Sequence, residues 1–482
     1  MSAAVVVGAG PNGLAAAIRL AQSGLDVTVV EGTPSIGGGT RTSELTLPGV
    51  LHDHCSAFHP MGVGSPYLRR LGLERYGLRW CWPEIDCAHP LDSGEAGLLW
   101  RSVERTTEGL GGADGDRWRR TFERSARDFD ALADDLMRPI AHLPDHPVQL
   151  ARFGPGTLLP ASVTARRWHT DKARALFGGV AAHAFVPLHR PLSSAIGRTI
   201  ISAGHRNGWP VAQGGSRAIT DAMARLLDEL GGKVRTDTPV RTVADIPAAD
   251  IVMLDLAPRA IADLYGDRLP ARVARAYRRY RHGPGAFKLD LAIDGDVPWT
   301  NPDCGRAGTV HLGGRFEEIA DTERAITRGR MPERPFTLVG QQYLADPSRS
   351  SDGINPLWVY AHVPHGFTGD ATEPILRQIE RFAPGFRERI VASAIRSTTQ
   401  FAAYNPNYVG GDIITGANSG LQLLARPRVA VDPYSTGLPG IFICSAASPP
   451  GAGAHGMCGY HAAGSALHHL GADTRDASDG RR

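Results

Sequence analysis

Residues 3–32 read AAVVVGAGPNGLAAAIRLAQSGLDVTVVEG, and this one stretch leaves the chain few folds to adopt. Residues 3–7 are a short apolar run of the kind buried on both faces in a parallel sheet. Gly8, Gly10 and Gly13 follow with G-x-G-x-x-G spacing. The first glycine permits a tight turn, the second lets backbone approach a pyrophosphate, and the third allows a helix to pack closely on the strand. Pro11 and Asn12 fall in the first helical turn, where proline's missing N–H has no intrahelical partner to lose. Helix formers run over 15–20 and Gly24 ends the helix. A second strand over 27–30 carries Glu31 at its tip, where a carboxylate accepts hydrogen bonds from an adenosine ribose. Strand, turn, helix, strand and acid in one register predict an α/β dinucleotide-binding unit, and Glu31 argues against a 2′-phosphate.

The residues that follow decide between nicotinamide and flavin. GTPSIGGGTRT brings Gly37, Gly38 and Gly39 to a second anionic face, and the Arg41 fork suits a phosphate. Flavoproteins of the glutathione-reductase-like class carry such a segment here. GPGTL at Gly154 and GPGAF at Gly283 lack the third glycine and the strand-to-helix context. One dinucleotide, FAD, is therefore expected, without a separate nicotinamide domain. Cys81 and Cys87 in CWPEIDC are separated by five residues that include a proline, so no redox disulfide is expected.

With 482 residues the chain exceeds one ordinary core, and two domains are expected. A net charge of +3 with no Lys/Arg run excludes a phosphate-tracking nucleic-acid binder. No uninterrupted apolar run approaches the roughly 18 residues of a membrane span, and no apolar leader precedes the first strand. A cytoplasmic protein is expected, with a membrane-surface contact left open.

Residues 66–204 read as a helical insertion over a hydrophobic pocket. DRWRRTFERSARDFDALADDLM (116–137) has helical period, as do TDKARALFGGVAAHAF and LSSAIGRTIISAG. The α/β rhythm returns near residue 208. Gly214 and Gly215 open a helix, Gly231 and Gly232 close it, and a strand, turn and helix follow over 249–264. An adenine contact from the backbone near Val240 is expected. AFKLDLAID, GTVHLGG, PFTLVGQQYLAD and LWVYAHVP predict a mostly antiparallel sheet, then a helix over EPILRQIERFAPGFRERIV. The fold expected is α/β: a glutathione-reductase-like FAD-binding Rossmann domain (1–65, 205–265, 410–471) interleaved with a mixed or antiparallel-sheet and helical substrate domain (66–204, 266–409). The polar tail 472–482 is expected to be disordered.

PPGAGAHGMCGYHAAG (449–464) admits three readings. A metal site would draw on His455, Cys458 and His461, but 455 and 461 lie about 120° apart on a helix with no carboxylate near. A Cys458 nucleophile with His461 lacks a group to orient the base. A backbone cradle fits the preceding strand better, and no metal is expected. There Gly451 and Gly453 let the chain lie against a flavin ring, and a helix N-terminus near His455 stabilises negative charge by roughly 0.3–1 kcal/mol. Gly456 and Gly459 each cost about 1 kcal/mol against alanine inside a helix, which a ring or strand packed on that face would explain. Met457 is counted with these contacts.

The N-terminal unit, GGGTRT, WPVAQGGSRAITDAM and RPRVAVDPYSTGLPGIFICSAASPPGAGAHGMCGYHAAG together resemble the phytoene desaturase-related FAD-dependent oxidoreductases. HDHCSAFHP and NPNYVGGDI are similar to the branch that includes pyridine nucleotide-disulfide oxidoreductase domain-containing protein 2. The resemblance implies non-covalent FAD and oxidation or isomerisation of an apolar small-molecule substrate. It places Gly8, Gly10, Gly13, Glu31, Gly38, Gly39 and Arg41 on the adenosine and pyrophosphate, and residues 451–457 beside the isoalloxazine. SAASPPG and His455 depart from phytoene desaturases proper, so a carotenoid substrate does not follow.

The expected activity is hydride transfer from an apolar substrate to flavin N5, with oxygen, a quinone or another carrier as electron acceptor. A flavin amine oxidase and a flavin-binding regulatory protein without turnover are the alternatives. His455 and His59 are the candidate acid/base residues. Tyr404, Tyr408 and Tyr460 are candidate pocket aromatics.

Overall fold

The computed structural model describes residues 2–140 and 142–471; the tail 472–482 lies outside the described residues. Five parallel strands form one sheet in the order Ile441–Ile443, Ile251–Leu254, Ala3–Val7, Asp26–Val30, Lys233–Arg235. Side chains alternate across it. Val5, Val7, Val30, Leu254 and Ile443 pack on the helices Pro258–Tyr265 and Ala271–Arg278. Ala4, Val6, Val27, Val29 and Ile251 pack on Pro11–Gln22, Arg217–Glu229 and Met457–His469. Burial on both faces is why the first strand reads as an unbroken apolar run.

The second sheet has seven strands, ordered Ile390–Arg396, Gly285–Asp294, Ile354–Val363, Thr337–Gly340, Ala307–Leu312, Ile85–Pro90, Ala96–Leu99. Neighbours are antiparallel except Ala307–Leu312 with Ile85–Pro90. Period-2 alternation sorts its faces. Leu357, Val359 and Ala361 pack against Ile375, Ile379 and Phe382, while Trp358 and Tyr360 point to the opposite side. That side floors a cavity.

Three elements differ from expectation. The helix read over residues 373–391 stops at Glu380, because Pro384 and Gly385 (φ 81°) cannot continue it, and Ile390–Arg396 becomes an edge strand. The long helix of 116–137 breaks at Asp128 into Gly112–Arg127 and Phe129–Leu136. The stretch read as helical contributes the hairpin Ile85–Pro90 and Ala96–Leu99 to the second sheet. IDCAHP carries one β-branched residue and a proline, a weak strand signal outweighed by burial of all six residues.

The last helix starts at Met457, with Gly456 (φ 69°) as its cap rather than in its interior. Gly459 does not face a ring or strand. A Cβ there would lie 1.8 Å from the Asn12 carbonyl oxygen, so the two helices touch backbone to backbone. Gly459→Ala should therefore lower stability by about 1–3 kcal/mol through overpacking. Gly154→Ala, at a helical site with open space around it, should be neutral or stabilising by up to about 1 kcal/mol. Thermal unfolding of the two variants checks the contrast, and equal melting temperatures would show that the helix contact is not tight.

Candidate active site

A cavity of about 710 Å³ runs from the glycine turns to the second sheet. At its first end Gly8 adopts φ 106°, and a Cβ on Gly13 would stand 2.0 Å from the Gly8 carbonyl. A Cβ on Gly38 would meet Gly10 Cα at 3.1 Å, and one on Gly39 would meet Tyr408 Oη at 2.2 Å. No side chain fits between these strands of backbone. The helix Pro11–Gln22 opens at Gly10, which has no side chain to cap it; of its first-turn donors the Gly13 N–H is taken by Asp255 at 3.1 Å. Asn12 Oδ1 lines this end, buried and without a hydrogen-bond partner. Bare backbone, a helix N-terminus and an orphaned acceptor fit an anionic dinucleotide with hydroxyls.

Glu31 stands at the tip of its strand, as expected. Its Oε2 accepts the Ala9 N–H at 2.9 Å and its Oε1 accepts the Thr33 hydroxyl at 2.8 Å. Arg41 holds it from the other side at 3.3 Å. The Nε and Nη2 of Arg41 are engaged with the Ser35 carbonyl and the Thr33 hydroxyl, so these atoms orient Glu31. Val240 is not brought to the cavity. It packs beside the apolar cluster on the sheet's far face. Gly13, Gly456 and Met457 also lie behind the lining, where they set the helix positions.

At the C-terminal turn, residues 449–455 line the cavity. The three side chains of the metal and nucleophile readings diverge. His455 Nδ1 accepts the Met457 N–H at 3.1 Å, the Cys458 thiol donates to the Gly451 carbonyl at 3.2 Å, and His461 Nε2 meets the Met137 carbonyl at 2.9 Å. Among the described residues no group of three or more His, Cys, Asp or Glu is arranged to hold a metal ion. Burial pushes the Cys458 thiol up to about 12, leaving it protonated and a poor nucleophile.

His59 lines the middle of the cavity. The Ser216 hydroxyl donates to the Ser56 carbonyl at 2.8 Å, so it must accept from His59 Nε2 at 2.9 Å. The lone pair of His59 is thereby fixed on Nδ1. His455 has the opposite arrangement: Nδ1 is the acceptor and Nε2 carries the proton. Burial lowers both imidazoles to about 4, so both are neutral at pH 7.

Three lining residues were not singled out from the sequence. Arg426 is 2% exposed, has no ion pair among the described residues, and leaves Nε buried without a partner. A Cβ on Gly451 would come within 3.0 Å of its Nη1. Asp255 accepts the Gly13 N–H at 3.1 Å, and burial raises its carboxyl to about 7. His183 pairs its Nε2 with His311 Nε2 at 3.2 Å. Of the candidate aromatics, Tyr404 and Tyr408 line the cavity. Tyr460 instead lies under the Arg19 guanidinium at 3.9 Å.

Residues 6–71 match the family model described as an NAD(P)-binding Rossmann-like domain. Pyridine nucleotide-disulfide oxidoreductase domain-containing protein 2 of Rattus norvegicus is 22% identical over 95% of this chain and 92% of its own length. Hydroxyneurosporene desaturase of Cereibacter sphaeroides is 26% identical over 98% of both chains. The solved structure of a putrescine oxidase mutant superposes with a TM-score of 0.63, at 18% identity over 98% of this chain and 99% of that one.

The chain is an FAD-dependent oxidoreductase, similar to the phytoene desaturase-related enzymes. The expected pairing of a parallel Rossmann-type sheet with an antiparallel sheet holds. In this oxidoreductase Glu31 and Asn12 would hold the nucleotide's hydroxyls, and the Gly8–Gly10 turn its diphosphate. Glu31→Ala removes a charged acceptor worth about 1.5–3 kcal/mol. FAD affinity should fall roughly 10-fold to 100-fold by fluorescence titration, with the fold unchanged by circular dichroism.

The buried imidazoles also set its acid limit. His59, His89, His205 and His455 are each lowered to about 4, chiefly by burial. The unfolded chain therefore binds protons near 6.5 that the folded chain refuses. Their contribution is complete above about 6.5 and is lost as pH falls towards 4. The melting temperature should drop steeply between those values, and a flat profile there would contradict the buried, neutral assignment.

Proposed function

We propose that this flavoenzyme oxidises an apolar organic substrate at carbon, with His59 as proton acceptor. The observation that carries the reading is the chamber beyond the glycine turns. It is lined by residues such as Ile196, Ile200, Trp209, Leu338, Trp358 and Ile413. Asp135, a carboxylate that also lines the cavity, accepts the N–H groups of Asp145 and His146 at 2.8 and 2.9 Å. Apolar surface gains about 25 cal/mol per Å² on entering such a chamber.

Bound FAD supplies a two-electron acceptor at N5 that takes a hydride from a substrate carbon. The chain positions that carbon and removes the proton. His59 Nδ1 holds the lone pair, with the Ser56 hydroxyl 3.5 Å away; Ser216 fixes the ring, and the proton released from the substrate is taken at Nδ1. His455 accepts the Met457 N–H at Nδ1 and has the Ala452 and Gly451 carbonyls as hydrogen-bond partners, so it positions the turn and does not remove a proton. Arg426 adds a fixed positive charge beside the Gly451 turn. Oxygen, a quinone or another carrier then takes the electrons.

Contact with a membrane surface is part of the proposal. Ile140, Leu158 and Leu424 line the cavity yet remain 59%, 59% and 38% exposed, which marks an apolar mouth. Among the described residues no helix is long and apolar enough to cross a membrane.

One observation favours an amine substrate: Trp358 and Tyr360 meet edge to face at 4.9 Å on the chamber floor, a surface that would also receive a cation. An anaerobic screen separates the readings. Flavin bleaching by apolar alkenes or alcohols supports the first, and bleaching confined to amines overturns it. With the substrate so found, His59→Asn should leave FAD bound and slow bleaching by about 100-fold or more. An unchanged rate would remove His59 from the chemistry.

A further inference from the structure

A second cavity, of about 700 Å³, shares two walls with the first. In helix Pro147–Leu158, Leu150 and Leu158 line the active-site cavity while Arg152 and Phe153 line the second. In helix Ser193–Asn207, Ile196 and Ile200 line the active-site cavity and Arg198 lines the second. The third wall is helix Gly112–Arg127. Arg119, Arg120, Arg124, Arg152, Arg167 and Arg198 all line this space, against only Glu123 and Asp128. Asp128 already lies 3.1 Å from Arg127 Nε. Glu104 acts on Arg119 from the neighbouring helix. None of the six arginines has an ion pair within 4.0 Å among the described residues.

Arg198 shows that this is a built site rather than a solvated basic face. It is 7% exposed, and its Nε is buried without a hydrogen-bond partner. The backbone makes room for it, since a Cβ on Gly156 would stand 2.6 Å from its Cζ. Phe122 and Phe153 flank the guanidinium at 5.9 and 5.4 Å. Its nearest charged influence is another cation, Arg167, which together with burial brings it down to about 10. A buried cation facing further cations is unfavourable until an anion joins it.

We propose that this cavity binds a phosphate- or diphosphate-bearing ligand, with Arg198 at its floor and Arg152 and Arg167 at its rim. Guanidinium forks match phosphate oxygens in pairs, and this number of arginines suits a multiply charged group better than a single carboxylate. The ligand sits one helix away from the substrate chamber, so the assignment is independent of the substrate reading.

The test uses the full chain loaded with FAD, so that the dinucleotide site is occupied. Inorganic pyrophosphate is titrated calorimetrically at constant ionic strength. In parallel the protein is sedimented with phosphatidylcholine vesicles, with and without phosphatidic acid. Binding in at least one arm is expected, weakened tenfold or more by Arg167→Ala and by Arg198→Met, with flavin absorbance unchanged. A response to pyrophosphate assigns a free ligand, and a response to the acidic vesicles alone assigns a lipid headgroup. Arg167 is exposed, so its variant keeps the test informative if Arg198→Met does not fold. No binding in either arm at millimolar phosphate, or binding indifferent to both substitutions, overturns the proposal.

Discussion

Two backbone contacts set the geometry of everything else. Gly13 lies on the Gly8 carbonyl, and Gly459 lies on the Asn12 carbonyl. The first pins the opening helix to its strand. The second pins the last helix to the opening helix, although nearly the whole chain separates them. Together they bring the N-terminus of the opening helix, and the 449–455 turn that precedes the last helix, to the cavity. Alanine at either position would separate these helices by the width of a methyl group, and interiors packed as densely as crystals do not absorb that without strain.

Buried charge ties the short strand Leu51–Asp53 to the second sheet and to the turn Pro347–Arg349. Arg349, with no exposed surface, binds Asp53 from one side and Asp346 at 3.1 Å from the other. Asp53 also accepts the Thr42 hydroxyl at 2.6 Å and the Ser216 N–H at 2.7 Å. Next to it Lys288 pairs with Asp290, which His52 approaches to 3.5 Å. A buried pair of this kind adds little net stability, but removing one partner leaves an uncompensated charge. Its effect here is positional. Asp53 fixes Ser216, and Ser216 fixes the tautomer of His59.

How much of this was legible follows from the range of each signal. The first strand and helix were readable because burial on both faces and glycine punctuation are local. The second sheet's central strands were readable for the same reason. The hairpin at Ile85–Pro90 was not, because its residues are held by neighbours far along the chain rather than by their own preference. Gly459 was noticed as costly, but the element packed on it could not be named from spacing. His59 stood out beside a proline, whereas Arg426 and Asp255 gave no sign. An arginine before a proline and an aspartate after a strand are ordinary, and only burial without a counter-charge makes them unusual. His183 was hidden within an apolar helical pattern that predicts core. Arg198 was hidden by abundance in an arginine-rich chain.

Asp255 raises the sharpest electrostatic question at the glycine turn, since a diphosphate there would add negative charge to a site that already holds two carboxyls. Glu31 is compensated by Arg41. Asp255 has no ion pair among the described residues; burial, assisted by Glu31, raises it to about 7. Near neutral pH it is thus close to half protonated. An anion placed beside it pushes it further towards the neutral form. Once protonated, the carboxyl still accepts the Gly13 N–H through one oxygen, while the other carries a proton to donate. Protonated, this carboxyl would offer a hydrogen-bond donor to an anion at the turn. This explains how a buried acid can stand against the Gly8–Gly10 turn without opposing the cofactor that the turn is shaped to hold.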